Sequence, residues 1–490
     1  MNTSAKMPKL KMDNFRMLIG GNLVESETKR WFPSINPANE EVLAQAPLGS
    51  SKDVDRAVEA AEKAQPAWAS LPVAKRSEYL RKLADALNQR AEELLYLEVL
   101  DTGNTIRKMQ NDVGSGINIL LYFAGLGYEL KGCTIPSTPG NLHLTIREPY
   151  GVVGRIVPFN HPIMFAISKM GAPLMAGNTM VIKPSQQTPL STCVLGEVCQ
   201  QVLPPGVVNI VTGFGNEVGE AIVRHPRVKR LALIGSVKTG MAIQRSAAEV
   251  AVKHITLELG GKNPMIIFPD ADLSKATPAA VDGMNFAWQG QSCGSTSRLL
   301  LHESIYDQVI QGVVKIASSL RLDDPLSWDA QMGPINHKAQ YEKVKYYVQA
   351  GKEDGAKLMT GGKRPEGKQF ERGYWFEPTV FGDVKPEMRI AREEIFGPIL
   401  SVMKWKSPEE LREITNSVDV GLTGSVWTRD VSTALKAARW IQSGYIWVNG
   451  VSGHYPATPF GGYKNTGIGR EEDYGELLSY TEEKTIHIVL

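Results

Sequence analysis

The segment around Cys293 has the residue types of a reactive-thiol site. It lies in Phe286–Arg298, among glycines and small polar residues instead of on an apolar core face. A thiol in such a segment is accessible, and its thiolate form is a nucleophile. The alternative is a structural cysteine, because free cysteines are among the most buried residue types. The segment therefore marks a candidate nucleophile.

Two polar residues stand at the ends of apolar runs. Glu258 belongs to the alternating run 254–259 and precedes two glycines, an unusual setting for a solvated glutamate. The alternative is a surface charge at a strand end. Asn160 follows the run 152–157, and ligands of open α/β sheets bind beyond the carboxyl ends of the strands. An amide in that position can stabilise an oxyanion.

Two glycine-rich turns follow predicted strands. Gly213, Gly215 and Gly219 have the spacing G-x-G-x-x-x-G, one residue longer than the usual dinucleotide loop. The alternative for this turn is a plain strand-to-helix connection. A second turn, 235–240, also leads from a strand into a helix whose N-terminus could receive a phosphate. Two such turns on adjacent units favour a dinucleotide.

The elements that must position these residues form two series. Short apolar runs at 152–157, 179–182, 207–211 and 231–234 alternate with helical segments, and a second series begins after Gly260. This pattern predicts two α/β domains with doubly wound, mainly parallel sheets. The part before residue 124 is expected to be largely helical, with Ser51 capping its first helix. Residues 132–147 are expected to be extended, with a turn at Pro139 and Gly140.

Composition excludes several classes of protein. The chain has 490 residues, 42% hydrophobic and 22% charged, with 54 Lys and Arg against 52 Asp and Glu. A balanced charge makes nucleic acid and acidic membranes poor partners. No export signal, membrane span or metal-ligand spacing is present, so we expect a cytoplasmic protein without a metal site.

From near Leu18 to its end the chain resembles the aldehyde dehydrogenase superfamily, in its NAD(P)-dependent, hydrolytic branch. Six spaced motifs carry the resemblance. They are Pro158-Phe-Asn160, Lys183-Pro-Ser185, Leu257-Glu-Leu-Gly-Gly-Lys262, Gly290-Gln-Ser-Cys293, Glu393-Glu-Ile-Phe-Gly-Pro398 and Pro459-Phe-Gly-Gly-Tyr-Lys464.

The resemblance implies three parts: an NAD(P)-binding domain (1–123 and 147–259), a catalytic domain (260–459) and a bridging sheet (124–146 and 474–490). In the family that sheet joins subunits, which implies a homo-oligomer, a dimer or tetramer. The implied reaction oxidises an aldehyde to an acid through a thioester on Cys293, with Asn160 holding the oxyanion and Glu258 activating water. A Lys169 and Glu471 pair would position Glu258.

The resemblance also implies the binding residues for NAD, or for NADP. The cofactor groove would contain Ile156, Pro158, Phe159, Lys183, Ser185, Gln186, Gly215, Gly219, Gly235, Ser236, Leu259, Glu394 and Phe396. The substrate pocket would contain His161, Ser168, Trp288, Ser292, Gly294, His454, Tyr455 and Phe460.

Two departures from the family pattern bear on specificity. Gln186 stands where many NAD-preferring relatives have Glu, and losing that carboxylate removes repulsion toward a 2′-phosphate. The pocket set is less uniformly aromatic than in relatives that oxidise small aliphatic aldehydes. A medium-sized aromatic or partly polar aldehyde, or a semialdehyde, fits it better. Packing or solvation is the alternative role for each of these residues.

Two rival functions remain at this point. The thioester could be transferred to coenzyme A, but acylating relatives tend to lack the water-activating carboxylate that Glu258 supplies here. The chain could also be a binding protein on the same scaffold, since a fold does not guarantee an activity. That alternative leaves the joint presence of Cys293, Glu258, Asn160 and Glu394 unexplained.

Overall fold

The structure is a computed structural model that describes residues 15–490. Residues 1–14 of the predicted NAD(P)-binding domain lie outside the described part. The strands are β1 Met17–Ile19, β2 Asn22–Val24, β3 Trp31–Ile35, β4 Val42–Pro47, β5 Thr134–Ile135, β6 Asn141–Pro149, β7 Val152–Ile156, β8 Thr179–Lys183, β9 Val208–Ile210, β10 Val228–Gly235, β11 His254–Leu259, β12 Pro264–Ile267, β13 Arg298–His302, β14 Lys357–Thr360, β15 Thr379–Gly382, β16 Ile399–Trp405, β17 Val420–Gly421, β18 Thr423–Trp427, β19 Tyr445–Val448, β20 Tyr463–Lys464, β21 Gly467–Ile468 and β22 Thr481–Val489. The helices are α1 Ser51–Ala69, α2 Val73–Gln89, α3 Ala91–Thr102, α4 Ile106–Met109, α5 Asp112–Gly125, α6 Pro162–Ser168, α7 Gly171–Met175, α8 Leu190–Val202, α9 Glu220–Arg224, α10 Val237–Ala248, α11 Leu273–Gly283, α12 Tyr306–Ser318, α13 Lys338–Glu353, α14 Arg389–Arg392, α15 Pro408–Asn416, α16 Val431–Trp440 and α17 Tyr474–Ser479.

The first sheet has eight strands in the order β2-β1-β9-β8-β7-β10-β11-β21. The five strands from β9 to β11 are parallel, while β1 and β21 add antiparallel at either end. Chain order runs outward from β7 to β9 on one side and from β10 to β11 on the other. The reversal between β7 and β10 creates a crevice at the carboxyl ends of the strands, where ligands of such sheets bind.

The second sheet has seven strands in the order β14-β15-β16-β13-β12-β18-β19. All neighbours are parallel except the edge strand β14. Nearly every residue of β12, β13 and β18 is buried, as expected for strands covered by helices on both faces. This sheet carries the loop that contains Cys293.

A third, antiparallel sheet lies outside both. Its order is β22-β6-β5, and β22 pairs with β6 from Thr481 opposite Pro149 to Val489 opposite Asn141. The predicted turn precedes β6, where Gly140 has φ of +85°. The predicted fold class, two α/β domains with a small sheet, is confirmed.

The N-terminal part is largely helical from α1 to α5, as expected, but four strands, β1 to β4, precede α1. Strand β1 pairs with the distant strand β9, where Ile210 lies opposite Leu18, a partner that no local pattern reveals. The predicted cap of α1 was wrong. The cap of α1 is Ser50 and not Ser51. Ser50 and Asp53 form a reciprocal capping box, an arrangement in which a cap residue contributes about 1 kcal/mol.

Candidate active site

Four predicted cofactor residues lie side by side at the carboxyl end of the first sheet. Ile156 ends β7 and pairs with Lys183 at the end of β8. Gly235 ends β10 and pairs with Leu259 at the end of β11. Parallel pairing in this register brings residues that are distant in the chain to one edge of the crevice.

Lys183 is a buried cation in this groove. Its Nζ donates to the Pro184 carbonyl oxygen at 2.8 Å, and burial lowers the pKa of the ammonium to about 8. An ammonium has three donors, so two remain for a ligand. The half-buried Ser185 and Gln186 follow at the same edge.

The two glycine turns have different geometries. Gly215–Gly219 forms a π-helical turn in which the Gly219 N–H lies 3.3 Å from the Phe214 carbonyl oxygen, five residues back. This wider turn accommodates the extra residue of the G-x-G-x-x-x-G spacing. A Cβ added at Gly215 would meet nothing within 4 Å, so space is open beside the turn. In the second turn Ser236 caps α10 by accepting the Thr239 N–H at 3.2 Å.

Glu394 and Phe396 face the same crevice from the second domain. The half-buried Glu394 accepts the Gly261 N–H at 3.1 Å, and a side chain at Gly260 would collide with its carboxylate. Burial raises the pKa of Glu394, while Lys343 opposes the increase. The ring of Phe396 stands edge-on to Phe159 at 5.7 Å.

These groups fit a nicotinamide dinucleotide. A buried ammonium and a half-buried carboxylate suit ribose hydroxyls. The open glycine turn and the α10 N-terminus suit phosphates, and the aromatic pair suits a flat ring.

The Cys293 loop is held by an amide that the sequence analysis did not single out. Asn263 Nδ2 donates to the carbonyl oxygens of Cys293 at 2.7 Å and Ser295 at 3.0 Å. Its Oδ1 accepts the Thr423 N–H at 3.0 Å. The only sequence signal was the position of Asn263 directly after the quoted Leu257–Lys262 motif. Asn263 thereby ties the loop to β12 and β18.

The surroundings of Cys293 oppose the thiolate. The residue is half-buried, and burial, followed by the negative charges of Glu258, Glu394 and Glu472, raises the pKa of its thiol to about 12. The chain by itself therefore favours the neutral thiol.

Asn160 is buried at the turn between β7 and α6. Its backbone carbonyl accepts a hydrogen bond from Asn104 Nδ2 at 3.0 Å, another contact that sequence analysis missed. Within residues 15–490 the Asn160 side-chain amide has no hydrogen-bond partner. The amide is therefore free to donate into the cavity beside it.

Glu258 lies on β11 with both carboxylate oxygens buried and without hydrogen-bond partners in the described chain. Burial raises the pKa of Glu258 well above its usual range, the charge of Glu471 adds to the increase, and Lys169 opposes it. Lys169 Nζ lies 3.0 Å from Glu471 Oε2. Arg155, which the sequence did not suggest, also binds Glu471, with Nη2 at 3.2 Å from Oε2.

One cavity of about 410 Å³ joins the catalytic candidates to the predicted substrate pocket. Its walls include Cys293, Glu258, Asn160, Lys169 and Glu471. They also include His161, Ser168, Trp288, Ser292, Gly294, His454, Tyr455 and Phe460. The volume is in the range of small-molecule sites.

The family model described as the aldehyde dehydrogenase family matches residues 23–486 of the chain. This chain belongs to the aldehyde dehydrogenase family. The resemblance identified from six motifs is thereby confirmed.

Individual relatives agree with this assignment. The aldehyde dehydrogenase is 44% identical over 464 residues to aldehyde dehydrogenase tropH of Talaromyces stipitatus, covering 93% of this chain and 90% of that protein. It is 39% identical to retinaldehyde dehydrogenase 3 of Homo sapiens, covering 97% and 93% of the two chains. The NAD+ complex of aldehyde dehydrogenase from Bacillus cereus superposes with a TM-score of 0.96 at 39% identity over 100% of both chains.

The described part of the aldehyde dehydrogenase, residues 15–490, has neither a membrane-spanning helix nor a cluster of metal ligands. No helix in that range is long and apolar enough to cross a membrane. No group of three or more His, Cys, Asp or Glu side chains in the same range could hold a metal ion.

Proposed function

We propose that this NAD(P)-dependent aldehyde dehydrogenase oxidises an aldehyde to the carboxylic acid through a thioester on Cys293. The observation that carries the proposal is the single cavity shared by Cys293, Asn160 and Glu258. These three groups supply a nucleophile, an oxyanion donor and a base. The groove whose residues fit NAD(P) opens into the same crevice.

The chain's own residues perform most of the reaction. The Cys293 sulfur attacks the aldehyde carbon, forming a C–S bond, while the Asn160 amide and the Cys293 N–H bind the resulting oxyanion. Bound NAD(P) supplies the acceptor for the hydride that leaves this carbon, and the carbonyl is restored as a thioester. Water then replaces sulfur at the carbon, which releases the acid and regenerates the thiol.

Glu258 is the base for that water. A carboxylate whose pKa is raised by burial is a stronger base than an exposed one, because its charged form is poorly solvated. The buried Lys169 and Glu471 pair, held by Arg155, acts on Glu258 through its charges and is proposed to position that carboxylate. Protonation of Glu258 should slow hydrolysis as the pH falls through its raised pKa.

The substrate and the cofactor preference are further parts of the proposal. The cavity suits a medium-sized aromatic or partly polar aldehyde, or a semialdehyde, since histidines and serines interrupt its aromatic wall. NAD is the expected cofactor and NADP is also accepted, because Gln186 carries no charge to repel a 2′-phosphate. The domain ranges implied by the family resemblance belong to the same proposal, as does a homo-oligomer formed through the β5-β6-β22 sheet.

Glu258→Gln tests the mechanism, because the substitution keeps the size of the side chain but removes the base. Hydride release needs only Cys293, the oxyanion donors and bound NAD(P), so mixing with aldehyde should release about one NAD(P)H per active site. Steady-state turnover should fall about a hundredfold or more, and an acyl adduct should appear on Cys293 by mass spectrometry.

The exposed Glu413 on α15 offers a matched control, Glu413→Gln, which should behave as the parent enzyme. A slowed burst without the adduct would assign Glu258 to activation of the thiol. Unchanged turnover would remove Glu258 from the mechanism. Transfer of the acyl group from Cys293 to added coenzyme A in the parent enzyme would favour the acylating alternative.

A further inference from the structure

We propose that the aldehyde substrate carries a carboxylate at its far end, bound at a corner of the cavity formed by Lys108, Trp288 and His161. We call this the anion corner. The inference rests on the proposed function, since it concerns the substrate of the same cavity. All three residues line that cavity, and Lys108 and His161 each contact the Trp288 ring.

Lys108 supplies an uncompensated positive charge. It is half-buried on α4, with Nζ 5.0 Å from the centre of the Trp288 ring. The cavity wall contains two lysines, and Lys169 is paired with Glu471 at 3.0 Å. Lys108 has no carboxylate within 4.0 Å anywhere in residues 15–490. Its charge is therefore available to a ligand.

Of the four acidic side chains on the cavity wall, three are engaged, and burial shifts the fourth, Glu258, toward its neutral form by raising its pKa. Asp112 Oδ2 lies 2.7 Å from His161 Nδ1, and Glu472 lies 3.8 Å from Lys169 Nζ and 3.3 Å from His454 Nδ1. Glu471 binds Arg155 and Lys169. Because these carboxylates have cationic or hydrogen-bonding partners, the net potential at the anion corner is set by Lys108.

Trp288 contributes a donor without an acceptor. Its Nε1 is buried and has no hydrogen-bond partner in the described chain. A buried donor left unpaired is unfavourable and rare, so an acceptor from a ligand would satisfy it. An indole N–H can only donate a hydrogen bond, so the ligand group that binds it must be an acceptor.

His161 completes the corner in a fixed orientation. Its Nδ1–H donates to the buried Asp112 carboxylate, which leaves Nε2 for the cavity. Its ring lies 5.4 Å from Trp288 and 5.9 Å from Phe165. The Lys108 charge and the Trp288 N–H favour an acceptor with a negative charge, and the His161 ring forms the adjoining wall of the corner.

Matched aldehydes test this inference on the holoenzyme. 4-Carboxybenzaldehyde should have a kcat/KM at least about tenfold above that of 4-methylbenzaldehyde, the scale of one charge-assisted hydrogen bond. Succinic semialdehyde against butanal repeats the comparison with a shorter spacer. The carboxylate preference should appear in at least one pair.

Lys108→Met should abolish the preference, lowering kcat/KM for the carboxylate substrate about tenfold or more while 4-methylbenzaldehyde changes less than about twofold. Lys108→Arg should restore part of it. The exposed Lys315 on α12 provides the control Lys315→Met, which should leave both substrates unchanged.

Equal kcat/KM within both pairs, or a preference that survives Lys108→Met, would overturn the inference. A stronger preference for 4-hydroxybenzaldehyde would also overturn it, by assigning the corner to a hydroxyl. Calorimetric binding of terephthalate against 4-methylbenzoate requires no turnover. Suppose the enzyme oxidises none of these aldehydes but binds terephthalate more tightly than 4-methylbenzoate, and Lys108→Met removes the difference. That result would contradict the proposed function and leave the anion corner supported.

Discussion

Cys293 and Glu258 occupy surroundings that oppose charge on both groups. Burial is the largest cause for each, and it raises the pKa of Cys293 to about 12 and that of Glu258 well above its usual value. The protein by itself therefore favours the neutral thiol, and it shifts Glu258 toward its neutral carboxyl. A positively charged ligand group bound nearby would lower the pKa of both groups.

Gln186 sets the cofactor preference at the residue scale. The parent enzyme should discriminate between NAD and NADP by less than about a thousandfold in kcat/KM. Gln186→Glu should lower kcat/KM for NADP at least about tenfold relative to NAD, because the new carboxylate repels the 2′-phosphate. Gln187→Glu, on the neighbouring half-buried side chain, is the control. Unchanged NADP use by Gln186→Glu would show that other groups select the nucleotide.

The elements meet at the active site through side-chain amides. Asn263 joins the ends of β12 and β18 to the Cys293 loop, and Asn104 binds the backbone carbonyl of Asn160. Amides suit this task because each one donates and accepts at once. Loops so held keep the nucleophile and the oxyanion donor at a fixed separation.

Asn263→Ala tests the importance of this restraint. Losing the bonds to Cys293 and Ser295 leaves their carbonyls unpaired, so the free energy of unfolding should fall by about 1–3 kcal/mol and kcat by about tenfold or more. Asn416 bridges Trp440 and Gln442 in the same way outside the cavity wall. Asn416→Ala should lose comparable stability in thermal unfolding and keep its kcat. If both variants lost kcat equally, Asn263 would contribute only to the stability of the fold and not to the positioning of Cys293.

At the scale of the whole molecule, the β5-β6-β22 sheet has an apolar face that residues 15–490 leave partly exposed. Leu142 and Leu144 pair with Ile488 and Ile486, so their side chains share one face, and Ile488 is 37% exposed. A partly exposed apolar sheet face is typical of a subunit interface. Association through it would bury these side chains.

Ile486→Asp should dissociate the proposed oligomer, because a carboxylate buried in an apolar interface is strongly unfavourable. Thr485→Asp places the same charge on the opposite face of β22 and is the matched control. Light scattering after size-exclusion chromatography measures the mass of each variant. A mass unaffected by Ile486→Asp, or one reduced equally by both substitutions, would contradict association through this face.

The amino-acid sequence by itself determined the fold class and the nature of the chemistry. Alternation of apolar runs with helical segments reports burial locally, and both mainly parallel sheets followed from it. The small polar segment around Cys293 and the carboxylate of Glu258 before two glycines are also local features. The six motifs, which agree in order with the family, allowed catalytic roles to be predicted for Cys293 and Glu258. These roles stay predictions.

Only the tertiary structure decided which distant groups meet. Arg155 binds Glu471 across 316 positions of the chain, and His161 binds Asp112 beside Trp288. The short strand β1 exists because β9 offers it a partner. Hydrophobic periodicity records which face of an element is buried, but it carries no information on which charged or amide group lies opposite. That choice is made when the two sheets close around the cavity and most buried polar groups find a partner.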